Sequence, residues 1–275
     1  MIKRQLGISM TPALGFGTYL LQGANCIKAI SSAIEIGYRH IDTAQIYENE
    51  AEVGDALNDS GIKRSELFVT TKVWRSELTA QRILDSTKLS LEKLKTDYVD
   101  LLLIHWPTPE MNLQLCLDRL SSLKEDGLTK NVGVSNFTEK MISSCLMSHP
   151  GLISNHQFEY HPFLNQDKMI KSCKEAGITM TAYSPLAEGR AKDDATLSKI
   201  GITHNKSASQ VALRWLMQQE SMMAIPKASQ PQNIRDNFEI FDFVLSSSEM
   251  VEIEKLSGAS RFVNPHWAPK WDEIA

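Results

Sequence analysis

The chain has 275 residues, 42% hydrophobic and 23% charged, the composition of a packed globular protein and not of a disordered one. Its 29 basic and 33 acidic residues leave a formal charge of −4, which gives no electrostatic footprint for nucleic acid. No apolar run reaches the roughly 18 residues of a membrane helix, and residues 1–7 lack the apolar core of a signal peptide, so a cytoplasmic protein is expected.

Along the chain, residues 2–12 suggest a short hairpin before the first of eight β-type runs. Those runs are Ala13 to Tyr19, Tyr38 to Ile41, Leu67 to Thr71, Val99 to Ile104, Val132 to Val134, Ile153 to Phe158, Ile178 to Tyr183 and Met222 to Ile225. Helical spacing lies between them: Ile27, Ile30 and Ile34 share a face, as do Leu113, Cys116, Leu117 and Leu120, and Met141, Ile142, Cys145 and Leu146. Asn25 and Thr138 stand where N-caps belong, and Ser246 with Glu249 has capping-box spacing. Gly37, Gly61, Gly127 and Gly177 each close a helical pattern, where a left-handed residue is needed.

This recurrence implies parallel strands with right-handed crossovers. Eight units in this length predict one closed (β/α)₈ barrel domain over residues 1–275, with the hairpin capping its bottom. An open doubly wound sheet is the weaker fit. It would carry G-x-G-x-x-G after its first strand, whereas Gly15-Phe16-Gly17-Thr18-Tyr19-Leu20 stops after two glycines. Cys26, Cys116, Cys145 and Cys173 are widely spaced, as reduced core thiols would be, and match no metal or disulfide pattern.

A barrel builds its active site at the carboxyl ends of its strands. Those positions hold Asp42, Lys72, His105, Ser135, Asn136, Gln157, Tyr183 and Lys227, with Tyr47 just beyond Asp42. A phenol is a poor acid near neutral pH. An adjacent ammonium favours its phenolate, and a buried lysine needs a counter-charge such as Asp42. With His105 as a donor to a carbonyl oxygen, the four residues could reduce an aldehyde or ketone: hydride arrives on carbon while a positioned acid protonates oxygen. Two other readings stay open. His40 and Asp42 share a strand face and, with His105 or His156, could hold a hydrolytic metal, although Lys72 and Lys227 would place cations at that mouth. A nucleotide-binding barrel that regulates a partner protein is the other.

The stretches Leu14 to Tyr19, Tyr38 to Ala44 with Tyr47, Thr70-Thr71-Lys72, Asp100 to Pro107, Gly133 to Phe137 and Ala182 to Leu186 occur here in one order. In these the chain resembles the aldo-keto reductases, from about Leu6 to beyond Leu256. Residues 42–50 and the ending Ala268-Pro269-Lys270-Trp271-Asp272 resemble the bacterial 2,5-diketo-D-gluconate reductase and methylglyoxal reductase branch. The resemblance implies a (β/α)₈ barrel, a nicotinamide cofactor, no metal, and Asp42, Tyr47, Lys72 and His105 as the catalytic tetrad, with Tyr47 the general acid. It further implies that Ser135, Asn136 and Gln157 hold the nicotinamide carboxamide while Tyr183 stacks on the ring. Gly17, Thr18, Asp42, Ser184 and Leu186 would also touch the cofactor, Leu186 and its loop covering the pyrophosphate. Lys227, Ala228, Ser229, Asn233, Asp236 and Asn237 would grip the adenosine end.

A lysine there suits the 2′-phosphate of NADPH. Many NADPH-using members have arginine where this chain has Asn233 and serine where it has Ala228, so NADPH is expected with NADH left open. Tyr19, Trp74 and Trp106, with Tyr47 and His105, should line the substrate pocket. The tail beyond Leu256 is short, which predicts a small, rather open pocket for small aldehydes, 2-oxoaldehydes such as methylglyoxal, or keto-sugars such as 2,5-diketo-D-gluconate. The family is often monomeric, and a monomer without nucleic-acid or membrane partners is expected.

Overall fold

The computed structural model describes residues 2–272. Two short strands, β1 (Lys3–Leu6) and β2 (Ser9–Pro12), pair antiparallel. Long-range bonds fix this hairpin at the amino end of the barrel. The Arg4 guanidinium donates to the carbonyls of Met217 and Gln219 at 2.8 Å each, and the Thr179 hydroxyl donates to the Gln5 carbonyl at 2.5 Å. The hairpin caps the bottom, as expected.

The barrel then runs β3 (Phe16–Gly17), α1 (Gly23–Ile36), β4 (His40–Asp42), α2 (Glu50–Asp59), β5 (Phe68–Val73), α3 (Ala80–Lys93) and β6 (Val99–Ile104). It continues with α4 (Leu113–Glu125), β7 (Thr129–Ser135), α5 (Glu139–Ser148), β8 (Ile153–Glu159), α6 (Asp167–Glu175) and β9 (Thr179–Tyr183). The last turn of the barrel is longer: a 3₁₀ stretch, Ala187–Asp193, precedes α7 (Ala195–His204) and α8 (Ala208–Gln218). β10 (Met222–Ala224), α9 (Pro231–Phe238) and α10 (Ser247–Glu254) follow.

Strands β3 to β10 form one parallel sheet in chain order. The chain before β3 closes it. Leu14 bridges Ala224 in parallel, Gly15 N donates to Ala224 O at 2.8 Å, and Gly17 N donates to Pro226 O at 3.1 Å. That closure explains Gly17, because a Cβ there would lie 2.7 Å from the Ile225 carbonyl oxygen. β5, β6 and β8 are buried along their whole length, since the helix layer covers one face and the barrel interior the other.

Most expected boundaries hold within two or three residues, and β6 matches at both ends. The first strand is regular over Phe16–Gly17 alone, shorter than the run from Ala13 to Tyr19. Asn25 is not an N-cap: α1 starts earlier, behind Gln22, and Asn25 lies in its first turn. Gly23 adopts a left-handed φ of 52° at the helix start, a signal the apolar spacing did not contain. Thr138 caps α5 by accepting from Met141 N, and Ser246 with Glu249 forms the full capping box. All four cysteines are free and buried.

Candidate active site

β4 and β5 pair with Asp42 opposite Thr70, which places Asp42 and Lys72 at neighbouring strand ends inside the barrel. Lys72 is 0% and Asp42 1% exposed. Lys72 Nζ donates to Asp42 Oδ1 at 2.5 Å, to the Thr43 carbonyl at 2.8 Å and to the Tyr47 hydroxyl at 3.3 Å. Tyr47 is carried by the 3₁₀ turn Gln45–Tyr47, which the Gln22 amide ties down by donating to the Tyr47 carbonyl. His105, directly after β6, stands edge-on to the Tyr47 ring with centroids 5.6 Å apart. Its Nδ1 is buried without a hydrogen-bond partner among the described residues.

Burial drives the proton affinities here. It lowers the Lys72 pKa, and Asp42 beside it works in the opposite direction. Burial, then the Lys72 charge, hold His105 well below the ordinary imidazole value, so its ring is neutral at physiological pH. The phenol differs from the sequence expectation. Burial, then the negative charge of Asp42 and the neighbouring Tyr19, raise Tyr47 well above the usual phenol range. These effects all favour the neutral phenol, and Tyr47 is held as a protonated acid.

Ser135 ends β7, Asn136 follows it, Gln157 lies near the end of β8, and all three are buried. Asn136 takes a left-handed φ of 62°, which turns its side chain back across the mouth. Its Nδ2 donates to the His105 carbonyl at 3.0 Å and its Oδ1 accepts from the Tyr183 hydroxyl at 2.7 Å. Gln157 Nε2 donates to Asp42 Oδ2 at 2.9 Å. Thr18, just past Gly17, donates both its N–H and its hydroxyl to the Asp42 carbonyl. After Tyr183 the backbone turns sharply, with positive φ at Ser184, Ala187, Glu188 and Gly189, and this loop starts with Leu186 half-buried. Lys227 and Ser229 are exposed between β10 and α9, Asn233 is exposed in the first turn of α9, Ala228 and Asn237 are buried, and Asp236 accepts from the Gln232 amide.

The Tyr19 ring lies 5.0 Å from the Tyr47 ring and the Trp74 ring 5.2 Å from His105, so both expected collar aromatics stand beside the tetrad. The sequence reading missed its other half. The tail after α10 crosses the mouth, and Trp267 stands perpendicular to both Trp74 and Trp106, at centroid distances of 5.8 and 5.1 Å. Arg75 covers the Trp267 ring, and Arg261 covers Trp271, which in turn contacts Trp106. The tail therefore packs its tryptophans against Trp74 and Trp106 beside the tetrad.

Two latches hold that tail. The buried Glu159 carboxylate accepts from Phe262 N at 2.7 Å and Val263 N at 2.9 Å, and it also binds His161. Burial alone would raise the Glu159 pKa, but His161 and the two backbone N–H groups prevail and lower it. At the far end Asp272 accepts from Glu139 N at the start of α5. A buried acid two residues beyond Gln157 was the available sequence signal.

His40, a candidate metal ligand, instead has Nδ1 at 3.2 Å from the Pro12 carbonyl and Nε2 at 3.4 Å from the Thr70 hydroxyl. His156 receives the Phe137 N–H and faces Cys173. Among the described residues no group of three His, Cys, Asp or Glu side chains could hold a metal ion.

A parallel eight-stranded barrel with a buried Lys–Asp pair against a tyrosine at its mouth is an enzyme architecture. The model of the Aldo/keto reductase family matches residues 13–257, and the chain belongs to that family; it is an oxidoreductase. It is 40% identical over 268 residues to methylglyoxal reductase DkgB of Escherichia coli O157:H7, covering 95% of this chain and 99% of that one. It is 38% identical over 261 residues to glyoxal reductase of Bacillus subtilis (strain 168), covering 94% of each. A crystal structure assigned as 2,5-diketo-D-gluconic acid reductase B superposes with a TM-score of 0.93 at 40% identity, covering 95% of this chain and 94% of that one. The aldose reductase of Schistosoma japonicum gives 0.91 at 29% identity, covering 98% and 99%. No helix among the described residues is long and apolar enough to cross a membrane.

Proposed function

We propose that the protein is an NADPH-dependent reductase of small aldehydes, 2-oxoaldehydes such as methylglyoxal, or keto-sugars such as 2,5-diketo-D-gluconate. The observation that carries this is Lys72 Nζ bonded to Asp42 and Tyr47 at once, with neutral His105 edge-to-face beside the phenol ring.

The residues present fit a nicotinamide dinucleotide. Two buried amides and a serine hydroxyl at the ends of β7 and β8 suit a carboxamide, and the Tyr183 ring is half-buried beside them. Exposed Lys227 suits a phosphate at the far end, with Ser229 and Asn233 beside it. When bound, the reduced nicotinamide supplies the hydride.

The chain's own residues manage the proton. Tyr47 donates its hydroxyl proton to the carbonyl oxygen as charge develops there. The phenolate left behind lies against Lys72, whose charge Asp42 balances. Neutral His105 donates a hydrogen bond to the same oxygen and fixes which face of the carbonyl is presented. Trp74, Trp106 and Trp267 exclude water and orient the substrate. A panel of methylglyoxal, 2,5-diketo-D-gluconate and simple aldehydes, followed by loss of nicotinamide absorbance with NADPH and NADH in parallel, tests the reading. Turnover is expected with NADPH; no oxidation of either cofactor by any carbonyl would overturn it.

A further inference from the structure

The two side-chain amides assigned above to the carboxamide each donate to a tetrad residue. Gln157 Nε2 holds Asp42 Oδ2 at 2.9 Å while Lys72 holds the other oxygen of that carboxylate at 2.5 Å. Asn136 Nδ2 holds the His105 carbonyl at 3.0 Å. Chemistry fixes the orientation at Gln157: a carboxylate only accepts, so the amide nitrogen faces Asp42 and Oε1 faces away from it. Both partners are at most 2% exposed, and a hydrogen bond to a charge in so dry a setting is a strong constraint.

We propose that Gln157 is a positioning residue for the proton donor: its bond to Asp42 keeps that carboxylate against Lys72, and thereby ties the carboxamide subsite to the geometry of Tyr47. The inference rests on the reductase reading. The link runs Gln157, Asp42, Lys72, Tyr47, each step a hydrogen bond. A ligand group that engages Oε1 therefore acts on the side chain that steadies the acid.

Gln157→Glu separates this role from simple carboxamide holding. It keeps an acceptor oxygen at the same reach but replaces the donor by a second carboxylate facing Asp42. Two carboxylates that close cannot both ionise freely, so one has a folded-state pKa raised above its unfolded value. A raised value means the variant matches the wild type below about pH 4 and loses stability as pH rises above it. Thermal unfolding of the cofactor-free protein from pH 4 to 8 should show a gap that widens with pH. The kcat should fall about tenfold, short of the loss expected from removing the acid itself, while cofactor affinity by tryptophan fluorescence changes little.

A gap that stays flat, with only cofactor affinity altered, overturns the proposal. A wild type that reduces no carbonyl, together with a widening gap, overturns the reductase reading and leaves the Gln157–Asp42 coupling standing. Should Gln157→Glu not fold, Gln157→Met removes the donor without adding charge. There kcat should drop by a larger factor than affinity, and a loss confined to affinity overturns the proposal.

Discussion

The barrel mouth has two sides built on different principles. On one side, Asp42 and Lys72 project from paired strands, are fully buried, and are held to each other and to Gln157 on β8. On the other, the tail over residues 258–272 has no regular structure and depends on backbone bonds near Phe163, the Glu159 and Asp272 latches, and stacked aromatic rings. Strand ends give a rigid frame for chemistry, and a tail lets the pocket wall vary without disturbing that frame. Substitutions on the strand side should therefore strike rate or stability, and those on the tail side substrate affinity.

The largest effect should come from Tyr47→Phe, which keeps the ring contacts with Tyr19 and His105 but removes the acid. Turnover should fall by about 10²–10⁴ with cofactor affinity preserved, measured by steady-state kinetics beside fluorescence titration. Retention of most of the turnover would place the chemistry elsewhere.

Lys72→Met is the next test of the rigid side. It leaves Asp42 buried against Gln157 without its counter-charge, which costs about 3–5 kcal/mol in a pair this dry. The thermal midpoint should drop clearly, and the native fraction should have little activity. A destabilised protein with full activity per native molecule would make the pair structural only.

On the tail side, Trp267→Ala removes one ring that touches both Trp74 and Trp106. Each aromatic pair is worth about 0.5–1.5 kcal/mol beyond its buried area. KM should rise by about tenfold for the preferred carbonyl, and the thermal midpoint should fall less than for Lys72→Met, by the loss of the two ring pairs. A collapse of kcat with unchanged KM would mean that the tail shapes the acid as well.

The same contrast decides what was legible in the sequence. Asp42, Lys72 and His105 could be placed because strand period and barrel geometry dictate where a strand-end residue points. The length of β6 was readable from an apolar run broken only by Asp100. The tail was not: nothing in residues 258–272 repeats, and their path follows from Glu159, which lies about a hundred positions earlier. The sign of the Tyr47 shift was missed for a related reason. Counting neighbouring charges shows Lys72, but the burial that favours the neutral phenol exists only in the folded mouth.

The smallest expected effect lies outside both regions, on the exposed rim where α9 begins. If Asn233 sits beside the 2′-phosphate of NADPH, Asn233→Arg adds a planar cation able to form charge-assisted hydrogen bonds there. Such bonds reach about 1.5–3 kcal/mol when well formed. Asn233 is exposed, as is Lys227 nearby in sequence, so solvent screening cuts the gain to roughly 1 kcal/mol, or about fivefold in affinity. The gain should appear for NADPH and not for NADH, because only NADPH carries that phosphate. It should also shrink as salt is raised, since an exposed pair is screened. Fluorescence titration of both cofactors at low and high ionic strength measures the two dependences together. Equal changes for both cofactors, or none, would place Asn233 away from the phosphate and leave Lys227 as the cation on which the NADPH preference rests.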